Sequence, residues 1–296
     1  MVNETATTQE KLKYRKKSQW KEIWRRMKKN RASMVGLAVI LCFAIIAIFA
    51  DLIVPYEYGI ENNAMERLQP PSREHPFGTD GYGRDCFARV LHGSRVSLTI
   101  GLLTTGISLV IGGSLGAVAG YYGGKVDSVI MRIMDVINCI PSMLLSLTVI
   151  AAFGANLQNL LIAIAVGSVP GKVRLVRATV LSVVGQDYIE AAKSYGASDK
   201  RLIYKYILPN AMGPIIVNAT MSVAGMILFA ASLSYIGLGI QPPDPEWGAM
   251  LSEARQYIRT SSYLLFFPGI AILLSALSLN LIGDGLRDAL DPKLKD

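Results

Sequence analysis

Two histidines, three cysteines and a few acids set into apolar sequence are the residues of this chain whose types could support chemistry. Nucleophilic catalysis needs a nucleophile and a base that converge. His75 and His92 both read as members of one loop, residues 55–95, and no histidine falls in an apolar run, so a Ser–His pair working inside a membrane is not indicated. His75 reads instead as part of a structured loop. Cys42, Cys86 and Cys139 lack paired spacing, which points to neither a disulfide framework nor a metal site. A phosphate loop needs Gly-x-x-x-x-Gly-Lys-Ser/Thr; "GGKVD" and "PGKVR" have Val after Lys and lack the upstream glycine, so the chain is not expected to hydrolyse ATP. An ion-coupled carrier or channel would place acids within the membrane, and Asp135 is the candidate. Arg132, three residues before it, is placed on the same helix face to neutralise it. The chain reads as a non-enzyme without a cofactor of its own.

The elements that hold these residues are membrane spans. Of 296 residues, 51% are hydrophobic, and several apolar runs approach the ~20 residues a helix needs to cross a ~30 Å hydrocarbon layer. "MVGLAVILCFAIIAIFADLIV", 34–54, shows no polar face, as a soluble core helix of that length would. The thirty-odd residues before it, the length of the run and the lack of a small-x-small site argue against a cleaved signal. Five further spans are expected at 96–120, 129–153, 156–176, 214–238 and 264–283. Six spans put both termini on one side. Residues 1–33 hold eleven Lys or Arg against three Glu, which equals the whole net charge of +8, so that side is expected to be cytoplasmic. The alternation collects 23 of the 30 basic residues there and leaves loops 55–95 and 239–263 outside. The basic tail also suits anionic lipid headgroups. Nucleic-acid binding is not expected, because no binding module accompanies the charge.

Within the spans, Gly112, Gly116 and Gly120 recur every four residues and predict a helix face that a neighbour approaches closely. Asn138 and Pro141 follow Asp135, and a proline-kinked helix with a polar residue a turn away is expected to border a translocation path. Between the fourth and fifth spans lies a polar stretch, "YIEAAKSYGASDKRLIYKYILPN". Asp187 and Glu190 have capping-box spacing and predict a helix from Tyr188. Gly196 supplies the left-handed residue that ends it. Ser198 is placed to cap a second helix with an apolar stripe of Leu202, Ile203, Tyr206 and Ile207, which Pro209 stops. Ala191, Ala192 and Ala197 give the first helix a nearly bare surface, suited to another protein's groove.

The pattern Glu190-Ala191-Ala192, Gly196, then Ile207-Leu208-Pro209 resembles the EAA loop by which importer-type ABC permeases dock on their ATPase. "HPFGTDGYGRD" (75–85), "LSYIGLGIQPPDPEWGAML" (233–251) and "NLIGDGLRDALDP" (280–292) make the chain similar to the dipeptide, oligopeptide and nickel group, and to its C-type membrane subunit. The resemblance runs from about Arg31 to Pro292. Tyr206 stands where such loops commonly have His, and "SYIGLG" replaces Ser-Phe-Leu-Gly-Leu-Gly. What the resemblance implies is an all-α type I importer permease: a basic tail (1–33), a first span (34–54), an extracytoplasmic loop (55–95), a five-span core (96–287) with coupling loop 182–213, and a C-terminal tail (288–296). Its implied partners are a sister permease, two ABC ATPase subunits that carry ATP and Mg, an extracytoplasmic binding protein and membrane lipid. The expected solute is a di- or oligopeptide, with nickel or glutathione as alternatives. Asp187, Glu190, Ala191, Ala192, Gly196, Ala197, Ile207, Leu208 and Pro209 are the expected coupling residues. "QPPDPEWG" reads as a proline-stiffened loop that exposes Trp247 to the binding protein.

Overall fold

The computed structural model describes residues 19–290, so residues 1–18 of the basic tail and 291–296 of the C-terminal tail lie outside the described residues. A short helix α1 (Gln19–Met27) precedes α2 (Arg31–Ile53), which begins where Asn30 accepts a hydrogen bond from Ser33 N. A four-residue helix α3 (Glu57–Ile60) opens the excursion that leads to α4 (Cys86–Tyr122). After α4 come α5 (Gly124–Asn138), α6 (Ser142–Phe153) and α7 (Leu157–Val184). The polar stretch forms α8 (Asp187–Ser194) and α9 (Asp199–Arg201), and α10 (Leu208–Tyr235), α11 (Trp247–Ala254) and α12 (Tyr263–Leu290) complete the chain.

Five of these helices are long and apolar enough to cross a membrane, and α5 with α6 makes a sixth if the pair counts as one span. That pair is bent by 77°, so the expected third span is two helices rather than one kinked helix. The break falls at Cys139–Pro141. Proline has no N–H to continue the ladder, and Pro141 heads α6 from the cap position instead of kinking its interior.

Helix α4 starts ten residues before the expected span, and its 37 residues reach about 55 Å, well beyond the hydrocarbon layer. His92 is therefore on a helix and not in a loop, which corrects the sequence expectation. The charges of Arg89, His92 and Arg95 disguise this turn as loop, yet acids distant in sequence cover them: Glu253 with Arg89 at 3.1 Å and Asp51 with Arg95 at 2.9 Å.

Close backbone approach sets the bundle. A Cβ on Gly112, Gly116 or Gly120 would lie 2.6 Å from Lys172 Cβ, 2.6 Å from Val173 O and 2.9 Å from Arg177 O, so α4 rests directly on α7 along this glycine face. Gly36 lets α2 meet Ser278 of α12, and Gly101 lets α4 meet Ile227 of α10. Helix α1, the end of α12 and the start of α10 share one end of the bundle, where Leu290 reaches Gly213. The excursion 55–85 and α11 lie at the other and form a cap.

Candidate functional site

Helix α8 begins differently from its capping-box reading. Gln186 holds the cap position, its carbonyl accepting from Ile189 N at 2.9 Å, and Asp187 is already helical with no side-chain cap bond formed. Asp187 and Glu190 instead place two carboxylates in the first turn, where they face the positive end of the helix dipole. Ile189 is buried and anchors α8 to a cluster with Val180, Val183, Leu202 and Ile207. The helix ends in a Schellman turn: Gly196 N donates to Lys193 O at 2.9 Å and Ala197 N to Ala192 O at 3.1 Å. Gly196 takes φ +77°, which a residue with a side chain adopts only with strain. Ser198 sits at the next cap position without a side-chain bond.

Pro209 does not stop the second helix. Leu202–Ile207 widens into a π-helical turn in which Leu208 N donates to Ile203 O, five residues back. The wider turn carries the chain past a residue that has no N–H, and Pro209 falls in the first turn of α10. One continuous helical path thus runs from Asp199 to Tyr235. On the hairpin, Asp187, Glu190, Ala191, Gly196 and Pro209 are exposed, whereas Ala192, Ala197 and Leu208 pack against the cluster that buries Ile207. The bare alanine face is therefore divided: Ala191 looks outward, Ala192 and Ala197 inward.

Arg132 and Asp135 do not pair with each other. Asp135 Oδ1 lies 2.8 Å from Arg174 Nη2, because α7 offers a guanidinium from the adjoining helix. A second strap joins the same two helices, Arg177 to Asp127 at 2.5 Å and 2.6 Å. Asn138 and Pro141 are exposed at the α5–α6 break in the isolated chain.

Both ends of the cap are folded together. His75 Nδ1 lies 2.7 Å from Asp85 Oδ2, Arg84 Nε donates to Asp80 Oδ2 at 2.7 Å, and Arg84 and Arg89 converge on Glu253 of α11 at 2.6 Å and 3.1 Å. Glu246 caps α11 by accepting from Gly248 N and Ala249 N at 2.9 Å and 2.8 Å. At the cap's edge Tyr56 donates to Asp244; burial, reinforced by that carboxylate, pushes its hydroxyl up to about 12, so it stays neutral at physiological pH. Trp247, expected to be exposed, has an exposure of 0%. Its Nε1 donates to Val90 O at 3.0 Å and its ring meets Phe43 edge-on at 5.6 Å. The indole is therefore a core residue and not an exposed contact for a partner.

Residues 112–296 match the family described as "Binding-protein-dependent transport system inner membrane component", and residues 18–71 match the "N-terminal TM domain of oligopeptide transport permease C". The chain belongs to this permease family. The permease is similar to a dipeptide transport system permease protein of Alkalihalophilus pseudofirmus, 48% identical over 94% of this chain and 91% of the relative. It is also similar to a di/tripeptide transport permease of Pseudomonas aeruginosa (44%, covering 93% of both chains) and a glutathione transport permease of Pectobacterium atrosepticum (44%, covering 93% and 92%). Among solved structures, an inward-facing MetNI methionine ABC transporter aligns with a TM-score of 0.57 over 69% of this chain and 97% of that one; at 19% identity this shows a shared fold. The permease is thus a multi-pass, non-catalytic membrane component of a binding-protein-dependent ABC transport system.

Some elements of the site escaped sequence reasoning. The hydroxyls of Tyr121 and Tyr122, at the end of α4, reach Asp199 at 2.7 Å and 3.3 Å and tie the hairpin of the permease to a second helix. The paired tyrosines were a visible signal without a visible partner. Tyr195 and Tyr204 stand out from the hairpin at 92% and 73% exposure, large aromatic surfaces of a kind enriched at protein interfaces.

Proposed function

We propose that the permease, together with a sister permease, forms the passage of an ATP-driven importer for di- or oligopeptides, and that hairpin 187–207 is its joint to the ATPase. The observation that carries this reading is the likeness, over nearly the full chain, to relatives named for dipeptide and di/tripeptide transport. A glutathione importer is the second reading, favoured by relatives of that name at 44% identity. Two ATPase subunits supply ATP and Mg at the hairpin end, and a binding protein delivers solute at the cap. The eleven basic residues among the first 33 support a cytoplasmic side for that tail, the hairpin and the C-terminus, and also suit the tail to anionic headgroups.

The mechanical argument starts from the continuity of Asp199–Tyr235. A displacement of the docked hairpin is delivered along α10 to the cap, and through Tyr121 and Tyr122 to α4. Closure of the ATPase pair on ATP thereby shifts the two permeases between inward-open and outward-open arrangements. For orientation, a cysteine replacing Asn62 will react with an impermeant thiol reagent only from outside, and one replacing Lys200 only from inside. Reaction of both from the same side rules the topology out. For the solute, ATPase activity of the purified complex with its binding protein will rise with dipeptides; stimulation by glutathione alone selects the second reading.

A further inference from the structure

Helix α7 carries three cations near its middle and second half, Lys172, Arg174 and Arg177, and they are treated differently. Arg174 and Arg177 turn to α5, where Asp135 and Asp127 neutralise them. Lys172 turns the other way, and among the described residues no acid pairs with it. Its exposure is 4%, and its Nζ donates to Asn218 Oδ1 at 2.7 Å and to Ser222 Oγ, both neutral groups of α10. Lys172 falls within the span expected at 156–176, and Asn218 and Ser222 within that expected at 214–238, so the charge lies between two membrane-spanning helices. An ammonium within a membrane span is costly unless an anion, polar groups or water compensate it.

A mere tie between α7 and α10 needs no charge, since a neutral amide or hydroxyl reaches the same acceptors. The surroundings are nevertheless fitted to this side chain. Gly112 of α4 leaves the space that the Lys172 stem fills. Thr105 and Ser108 share the Gly112 face of α4, and the Thr105 hydroxyl is buried without a hydrogen-bond partner. Lysine has three donors and Asn218 and Ser222 take two, which leaves one N–H of the cation for another acceptor. Both present acceptors ride on α10, the helix continuous with the hairpin, so a movement of α10 exchanges them.

We infer that Lys172 is a carboxylate-binding position in the passage: when α10 moves, its ammonium trades Asn218 and Ser222 for the free carboxylate of the solute. This rests on the peptide reading above, because a peptide brings an anion that no described residue supplies to Lys172. It explains why a cation is kept within the spans against neutral partners.

The test uses the whole complex with its binding protein in proteoliposomes, and uptake of alanyl-alanine as the readout. Lys172→Met, which keeps length and loses charge, will raise KM for uptake about tenfold, as loss of a charged hydrogen bond does, while Lys172→Arg stays within about threefold of wild type. Lys172→Cys will react with 2-aminoethyl methanethiosulfonate more slowly when alanyl-alanine is in excess, and the reaction will restore uptake because it restores a cation. The 2-sulfonatoethyl reagent will not restore it. Comparing one preparation before and after reaction removes assembly defects, and wild type treated alike accounts for Cys42, Cys86 and Cys139. A wild-type KM in Lys172→Met, a Lys172→Cys thiol that fails to react in the working transporter, or equal rescue by both reagents overturns the inference. If wild type imports no dipeptide, the peptide reading falls and this inference with it; import by wild type with an unaltered Lys172→Met overturns this inference alone.

Discussion

Gly196→Val will leave the permease inserted and paired with its membrane partner, yet coupled uptake and ATPase association will be largely lost. At φ +77° a branched residue costs about 1–2 kcal/mol, enough to open the Schellman turn that holds α8 against α9. Among the described residues nothing lies within 4 Å of a Cβ at this position, so the substitution meets no clash there. The effect is accordingly local to the hairpin, and the spans keep their packing. Gly196→Asn, which tolerates the left-handed region, will retain most of the activity. Copurifying ATPase and transport are the measurements; wild-type values in Gly196→Val would reduce the hairpin to a connector.

Trp247→Ala will destabilise the permease by about 3–5 kcal/mol, the usual cost of emptying a large buried aromatic site. The indole joins five helices: it begins α11, donates to α4 at Val90, meets Phe43 of α2 and packs with Ala231 of α10 and Ala271 and Ile272 of α12. Trp247→Phe keeps most of the volume and loses the bond to Val90, a smaller cost of about 1 kcal/mol. The melting temperature of the purified complex orders the variants as wild type, Phe, Ala. An alanine variant with unchanged melting but lost binding-protein docking would return Trp247 to the role of a surface contact.

These two residues mark what the sequence makes legible. Gly196 could be read because its signal is local: a glycine between two helical patterns has few other uses. The glycine face of α4 was legible for the same reason, since a spacing of four residues defines a helix face without knowledge of the neighbour. Trp247 was not legible, because its burial depends on Val90, 157 residues away in sequence, and on Phe43, farther still. The first turns of α4 looked like loop for want of Glu253 and Asp51, and the Arg132–Asp135 pair was assumed where Arg174 competes successfully. Pro209 is instructive in another way. A helix stop is a sound reading of proline alone, and only the π-helical turn ahead of it lets the helix continue and joins α10 to the hairpin.

Tyr195, the most exposed aromatic of the hairpin, offers the most direct test that hairpin 187–207 is the joint to the ATPase. A photoreactive phenylalanine analogue at Tyr195 in the assembled transporter will crosslink to the ATPase subunit, and the yield will change when ATP is added without hydrolysis. The same probe at Tyr82, on the cap, will give no ATPase crosslink. Failure of Tyr195 to crosslink in complexes that hydrolyse ATP and import solute, or an equal ATPase crosslink from Tyr82, would contradict the account.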